Sequence, residues 1–139
     1  MKWNALVPEL LVADFQKSIR FYVSVLGFSV EYERTSPSFA YLAFEKSQVM
    51  IEELQEDSWV TGAMAHPFGR GINLQIECSD VVEIRKRIAT AKIAVFRELH
   101  DACYEAAGAR IGQRQFLVAD PDGYLLRFCE VIGDRKVDL

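Results

Sequence analysis

Apolar residues along this chain switch between two periods, and the switches mark the elements. Residues 6–12 form a short β-rich apolar run, and Asp14 behind it is placed to cap a helix. Phe15, Ile19, Tyr22, Val23 and Leu26 then recur at helical spacing until Gly27 stops them. Three strand-like runs follow, at residues 28–34, 39–44 and 48–54, divided by Ser36-Pro37-Ser38 and Glu45-Lys46-Ser47. Residues 55–70 are polar, carry Gly62, Pro67 and Gly69, and show no period, so they read as a linker. After them the pattern restarts. Residues 72–78 are strand-like, Asp80 with Glu83 forms a capping-box-like signal, and Val81, Ile84, Ile88 and Ala91 supply an apolar helix face. Strands are expected at 93–98, 113–119 and 124–131, with a loop at 100–112 and a tight turn at Asp120-Pro121-Asp122-Gly123.

The pattern is thus β-α-β-β-β written twice. Shifted by 66 residues, Leu10 falls on Ile76, Val12 on Cys78, Asp14 on Asp80 and Phe15 on Val81. The expected fold is α+β: two βαβββ modules, about 4–54 and 71–133, forming a curved mixed sheet around a cleft within one domain spanning 1–139. Each helix would cover one sheet face and leave the other for a ligand. The length of the linker also allows modules to be exchanged between two chains.

Composition narrows the function. Half of the 139 residues are hydrophobic and 26% are charged, enough apolar side chain for a core without disulfides. The net charge is −4, and Arg85-Lys86-Arg87, the densest basic cluster, lies on a predicted helix, which disfavours a nucleic-acid partner. Cys78, Cys103 and Cys129 contain no C-x-x-C and cannot all pair, which fits a reducing, cytoplasmic setting. No apolar run approaches the ~20 residues that span a bilayer. The serines at 18, 24, 29 and 47 have no histidine in motif context, so no nucleophilic constellation is visible. Cys129, alternating with Arg127, reads as a buried hydrophobe rather than a thiol acidified by that cation.

Three segments carry a family likeness. Residues 11–28 contain Ser18-x-x-Phe21-Tyr22-x-x-x-Leu26-Gly27-Phe28, residues 71–80 open the second module, and residues 114–124 contain Phe116-x-x-x-Asp120-Pro121-Asp122-Gly123. Together they resemble the vicinal oxygen chelate superfamily, which includes glyoxalase I, extradiol dioxygenases, fosfomycin-resistance enzymes and bleomycin-resistance proteins. The resemblance implies four metal-ligand positions, which fall on Val7, Glu52, Asn73 and Arg127 in this chain. The 66-residue offset independently maps Val7 onto Asn73. Of the four, only Glu52 is a good ligand; Val7 offers no donor and Arg127 brings a fixed positive charge. His66 and His100 are too few and too far from those strands to replace them. The chain therefore reads as metal-free and without cofactor, and Glu52 and Arg127 become candidates to form a charge-assisted contact instead.

Within that superfamily the chain is most similar to the bleomycin-resistance branch, through Val7-Pro8 and the Arg114-x-Phe116-x-Val118-x-Asp120-Pro121 run. The resemblance implies a homodimer that sequesters a small organic molecule, a cationic or aromatic antibiotic, without covalent chemistry. Such binding needs aromatic surface and carboxylates. The expected cleft residues are Glu9, Phe39, Tyr41, Glu52, Trp59, Asn73, Gln75, Tyr104 and Arg127, with Phe68 as a further linker aromatic. The alternative is a metal-dependent lyase, isomerase or dioxygenase of the glyoxalase type using non-standard ligands.

Overall fold

The computed structural model describes residues 2–133, which form two compact units. Unit 1 holds the chain up to Arg70 together with Asp120–Tyr124; unit 2 holds Gly71–Ala119 and the chain from Leu125 onward. Each unit contains one four-stranded mixed sheet and one helix, so the chain is α+β with two βαβββ arrangements.

In unit 1 the strands are β1 (Glu9–Val12), β2 (Ser29–Arg34), β3 (Phe39–Phe44) and β4 (Ser47–Glu53), in the spatial order β1-β4-β3-β2. β1 runs parallel to β4 and the other pairs are antiparallel. The first strand starts at Glu9 rather than residue 6. Pro8 has no N–H to give a ladder, and only its carbonyl joins, accepting from Met50 N at 2.9 Å. Helix α1 (Phe15–Ile19) is capped by Asp14, whose carboxylate accepts from Lys17 N at 3.1 Å. From Arg20 to Val25 the coil widens into a π turn, with Leu26 N bonded five residues back to Phe21 O at 3.0 Å. The widening turns one more residue inward. Phe21 and Ser18 are buried, while Ile19 and Val23, which simple helical spacing placed in the core, are only half-buried. Tyr22, Leu26, Phe28, Leu42, Phe44 and Ile51 complete this core, with Tyr22–Phe28 and Phe28–Phe44 ring centroids 5.4 and 5.1 Å apart.

Unit 2 repeats the plan with β5 (Asn73–Glu77), β6 (Arg97–Ala106), β7 (Ala109–Ala119) and β8 (Leu125–Val131), in the order β5-β8-β7-β6. Helix α2 (Val81–Thr90) packs across β7 and β8, burying Val81, Ile84 and Ile88 against Phe116, Val118, Leu126 and Phe128. Ala91 ends the helix exposed. Asp80 caps α2 by accepting from Glu83 N, as the sequence predicts, and the Glu130 carboxylate accepts from Val81 N. One expectation fails here. The strand foreseen at 93–98 and the loop at 100–112 are instead a long hairpin, β6 paired with β7 around Ala107-Gly108. Both turn residues have positive φ, 48° and 79°, the type I′ geometry that matches hairpin twist. Alanine is not a usual first residue for that turn, so the sequence carries no signal for it.

The turn at Asp120–Gly123 is more than a reversal between β7 and β8. Asp120 accepts from its own turn at Asp122 N and Tyr124 N, both 2.9 Å, and from the Tyr22 hydroxyl at 2.7 Å. Asp122 accepts from Ala13 N at 3.1 Å, and Tyr124 donates its hydroxyl to Leu11 O at 2.9 Å. Gly123 has φ 97°, and a Cβ there would lie 2.4 Å from Pro67 Cβ. No helix among the described residues is long and apolar enough to cross a membrane.

Candidate functional site

Paired residues on adjacent strands share a sheet face, so the registers write out the surface of each unit directly. In unit 1 they give two rows: Glu9, Met50, Tyr41 and Tyr32, then Leu11, Glu52, Phe39 and Arg34. Four of the sequence-predicted residues, Glu9, Phe39, Tyr41 and Glu52, therefore stand on one face. Trp59 does not join them; it lies in a loop of the same unit at 95% exposure. Phe68 is buried against Tyr124, with ring centroids 5.9 Å apart, and serves the turn rather than a ligand.

Aromatic rings dominate that face. Tyr32 stacks on Tyr41 at 5.3 Å and on Phe39 at 5.8 Å, and Trp3 meets Tyr41 and Tyr32 edge-on at 4.9 and 5.8 Å. The Arg34 guanidinium lies 4.0 Å above the Phe39 ring centroid. Trp3 is held there by a strap. Gln48 accepts from Asn4 N and donates to Lys2 O, both at 2.8 Å, and the Tyr41 hydroxyl donates to the same Gln48 oxygen. Burial, then the nearby Glu52 carboxylate, push the Glu9 carboxyl up, while Arg34 opposes them. Tyr32, Arg34 and Trp3 are absent from the sequence-based set. A register shift between Val30 and Tyr32 explains the first two: Val30 pairs with Leu42 on the helix side, yet Tyr32 pairs with Tyr41 on the other. Strict alternation puts Val30 and Tyr32 on the same face.

In unit 2 the face away from α2 carries Asn73, Gln75 and Glu77 from β5 and Leu125, Arg127 and Cys129 from β8. It continues through Gln113, Gln115 and Leu117 on β7 to His100 on β6. Asn73, Gln75, Tyr104 and Arg127, the remaining predicted residues, all belong here. Gln115 Nε2 lies 2.7 Å from Tyr104 Oη and 3.1 Å from His100 Nε2. His100, Gln113 and Gln115 are additions the sequence did not flag, because buried glutamines in a strand look like ordinary solvent-facing positions. Burial and the neighbouring Glu77 push the Cys129 thiol up, against a smaller opposing effect of Arg127, and the side chain is fully buried. It behaves as a hydrophobe.

The parallel registers also test the metal positions. Gln75 pairs with Arg127, and Glu9, its counterpart 66 residues earlier, pairs with Met50. Arg127 therefore corresponds to Met50, and Glu52 corresponds to Cys129, which pairs with Glu77 as Glu52 does with Leu11. At Arg127 a guanidinium has no lone pair to offer a cation. Among the described residues no three His, Cys, Asp or Glu side chains gather where they could share a metal ion. The donor set does not fit a divalent metal.

Comparison with known proteins agrees with the architecture. The sequence profile of the Glyoxalase/Bleomycin resistance protein/Dioxygenase superfamily matches residues 5–128. A bleomycin resistance protein from Geobacillus stearothermophilus is 27% identical over 136 residues, covering 91% of this chain and 96% of its own length, and one from Staphylococcus aureus matches equally. Among solved structures, TioX from Micromonospora sp. ML1 is 25% identical with a TM-score of 0.72, covering 94% of this chain and all of its own. A virulence protein from Salmonella typhimurium, 21% identical, shares the fold at a TM-score of 0.65 over 95% of this chain and all of its own.

Proposed function

Because the chain belongs to the Glyoxalase/Bleomycin resistance protein/Dioxygenase superfamily, yet has a guanidinium and a thioether at repeat-related positions of the ligand strands, we propose that it binds and sequesters a small organic molecule without a metal. The ligand class is a planar aromatic bearing positive charge, as in cationic antibiotics, and the working form is a homodimer. The observation that carries this reading is the ring cluster Trp3, Tyr32, Phe39 and Tyr41 with Glu9 and Glu52 beside it. The exposed rings of Trp3 and Tyr32, backed by the buried Phe39 and Tyr41, supply dispersion and quadrupole attraction to a flat cation, and the two carboxylates favour its charge. Kinship with proteins named for bleomycin resistance supports the same class of ligand.

The test uses a panel of bleomycin, ethidium and a planar anion, naphthalene sulfonate, with Ni²⁺, Zn²⁺ and Mn²⁺ alongside. The chain has two tryptophans, so a Trp59→Phe background leaves Trp3 as the sole reporter. Planar cations are expected to quench Trp3 and raise Tm, and Tyr32→Ala to weaken binding about ten-fold or more, the loss of one stacked anchor. A Tm shift from a divalent metal alone, with no response to any organic compound, would overturn the reading in favour of metal-dependent chemistry.

A further inference from the structure

One cation already stands on the aromatic face of unit 1. Arg34 is the last residue of β2 and pairs with Phe39, whose other neighbour across the sheet is Glu52. The guanidinium carbon lies 4.0 Å above the Phe39 ring centroid and 5.9 Å from that of Tyr32. The first is the distance of a close cation–π contact. No carboxylate fixes the group there. Among the described residues Arg34 enters no ion pair, although its charge is felt at Glu9 and Glu52 stands one strand beyond the ring. The Phe39 ring is only 1% exposed, whereas Arg34 is exposed on an edge strand with no outer neighbour. The arginine is thus part of what closes the Phe39 face, and it is the part that can swing away without disturbing the ladder.

We infer that Arg34 is a displaceable occupant of the ligand surface and a determinant of its selectivity: the guanidinium holds the place of the bound cation until a better one arrives, then swings out over the edge of β2. The inference rests on the reading of the ring cluster as the ligand surface, and it adds the side chain that decides which cations stay. The exchange preserves charge balance, because Glu9 and Glu52 lose one neighbouring cation and gain another. It also imposes a threshold. A tethered group competes at an effective concentration on the order of millimolar, so a small cation that stacks no better than a guanidinium is turned away at lower concentrations. A flat polycyclic cation is not turned away. It overlaps Tyr32 and Phe39 together and buries more ring area than the guanidinium it replaces.

The test is isothermal titration of the full chain, wild type against Arg34→Gln, with ethidium and with methylguanidinium, a copy of the arginine head group. The variant is expected to bind ethidium about 2- to 5-fold more tightly, the worth of an exposed cation–π contact that no longer competes, and to gain affinity for methylguanidinium by a similar factor. A second measurement needs no variant. The ring current of Phe39 is expected to hold the Arg34 δ-methylene protons upfield in ¹H–¹³C spectra of the wild-type chain, and saturating ethidium to return them towards the shift of a free arginine. Equal or weaker ethidium binding by Arg34→Gln, or δ-methylene protons that stay upfield at saturation, overturns the inference and leaves the ring cluster standing as the binding surface. Ethidium bound by neither protein removes the ring-cluster reading itself, and the inference with it.

Discussion

Asp120 is a carboxyl placed where water barely reaches, at 4% exposure, with the Tyr22 hydroxyl as its partner. Burial raises its pKa to about 6, and the hydrogen bonds from Tyr22, Tyr124 and Asp122 only partly offset that rise. The folded chain thus holds this proton to higher pH than the unfolded one, whose carboxyl titrates near its ordinary value of 3.8. The stabilisation is complete below that value and is lost as pH rises through about 6. The loss is on the order of 3 kcal/mol at 1.36 kcal/mol per pKa unit. Asp120→Asn cannot ionise and keeps an oxygen for the two backbone donors. Calorimetric scans from pH 4 to 7 are expected to show wild-type Tm falling relative to this variant; parallel curves would mean the carboxyl titrates normally. The turn itself was legible in the sequence, since proline, aspartate and glycine prescribe it locally. Its burial was not, because Tyr22 lies 98 residues away.

Elements were legible where local chemistry and burial agree. Asp14 and Asp80 announce both helices, and short apolar-rich runs announce β3, β4, β7 and β8. Three local departures from regularity were hidden: the π turn after Arg20, the register shift in β2 and the Ala107-Gly108 reversal. Each depends on backbone geometry that no residue type nearby requires. The missed ring of Tyr32 follows from the second, so the candidate site was read at four of its positions and lost its stacking partner. At Ala107, with φ 48°, the left-handed backbone crowds the Cβ. Ala107→Asn supplies the Asn-Gly pair that this turn favours and is expected to stabilise the chain by about 0.5–1 kcal/mol in urea unfolding. A loss of stability would show that the turn is not built as described.

At the scale of the whole molecule, the repeat was visible as punctuation at a fixed offset, and the two βαβββ arrangements follow it strand for strand. Assembly is the property that the sequence pattern touches least, since it depends on surfaces rather than periods. Light scattering coupled to size exclusion is expected to return twice the chain mass at micromolar concentration; a monomer at all concentrations would remove the dimer from the proposed function. The position of the Asp120–Tyr124 turn bears on a different question. Its five residues belong to unit 1 while the strands on either side belong to unit 2. The chain passes from one unit to the other after Arg70, returns for the turn, and leaves again. A cut after Arg70 would carry the turn away with unit 2, and residues 1–70 alone would leave the Tyr22 hydroxyl and the Ala13 N–H without their acceptors. If the two halves began as copies of one ancestral module, they are no longer separable genes: the first is now completed by a five-residue stretch that the second half encodes.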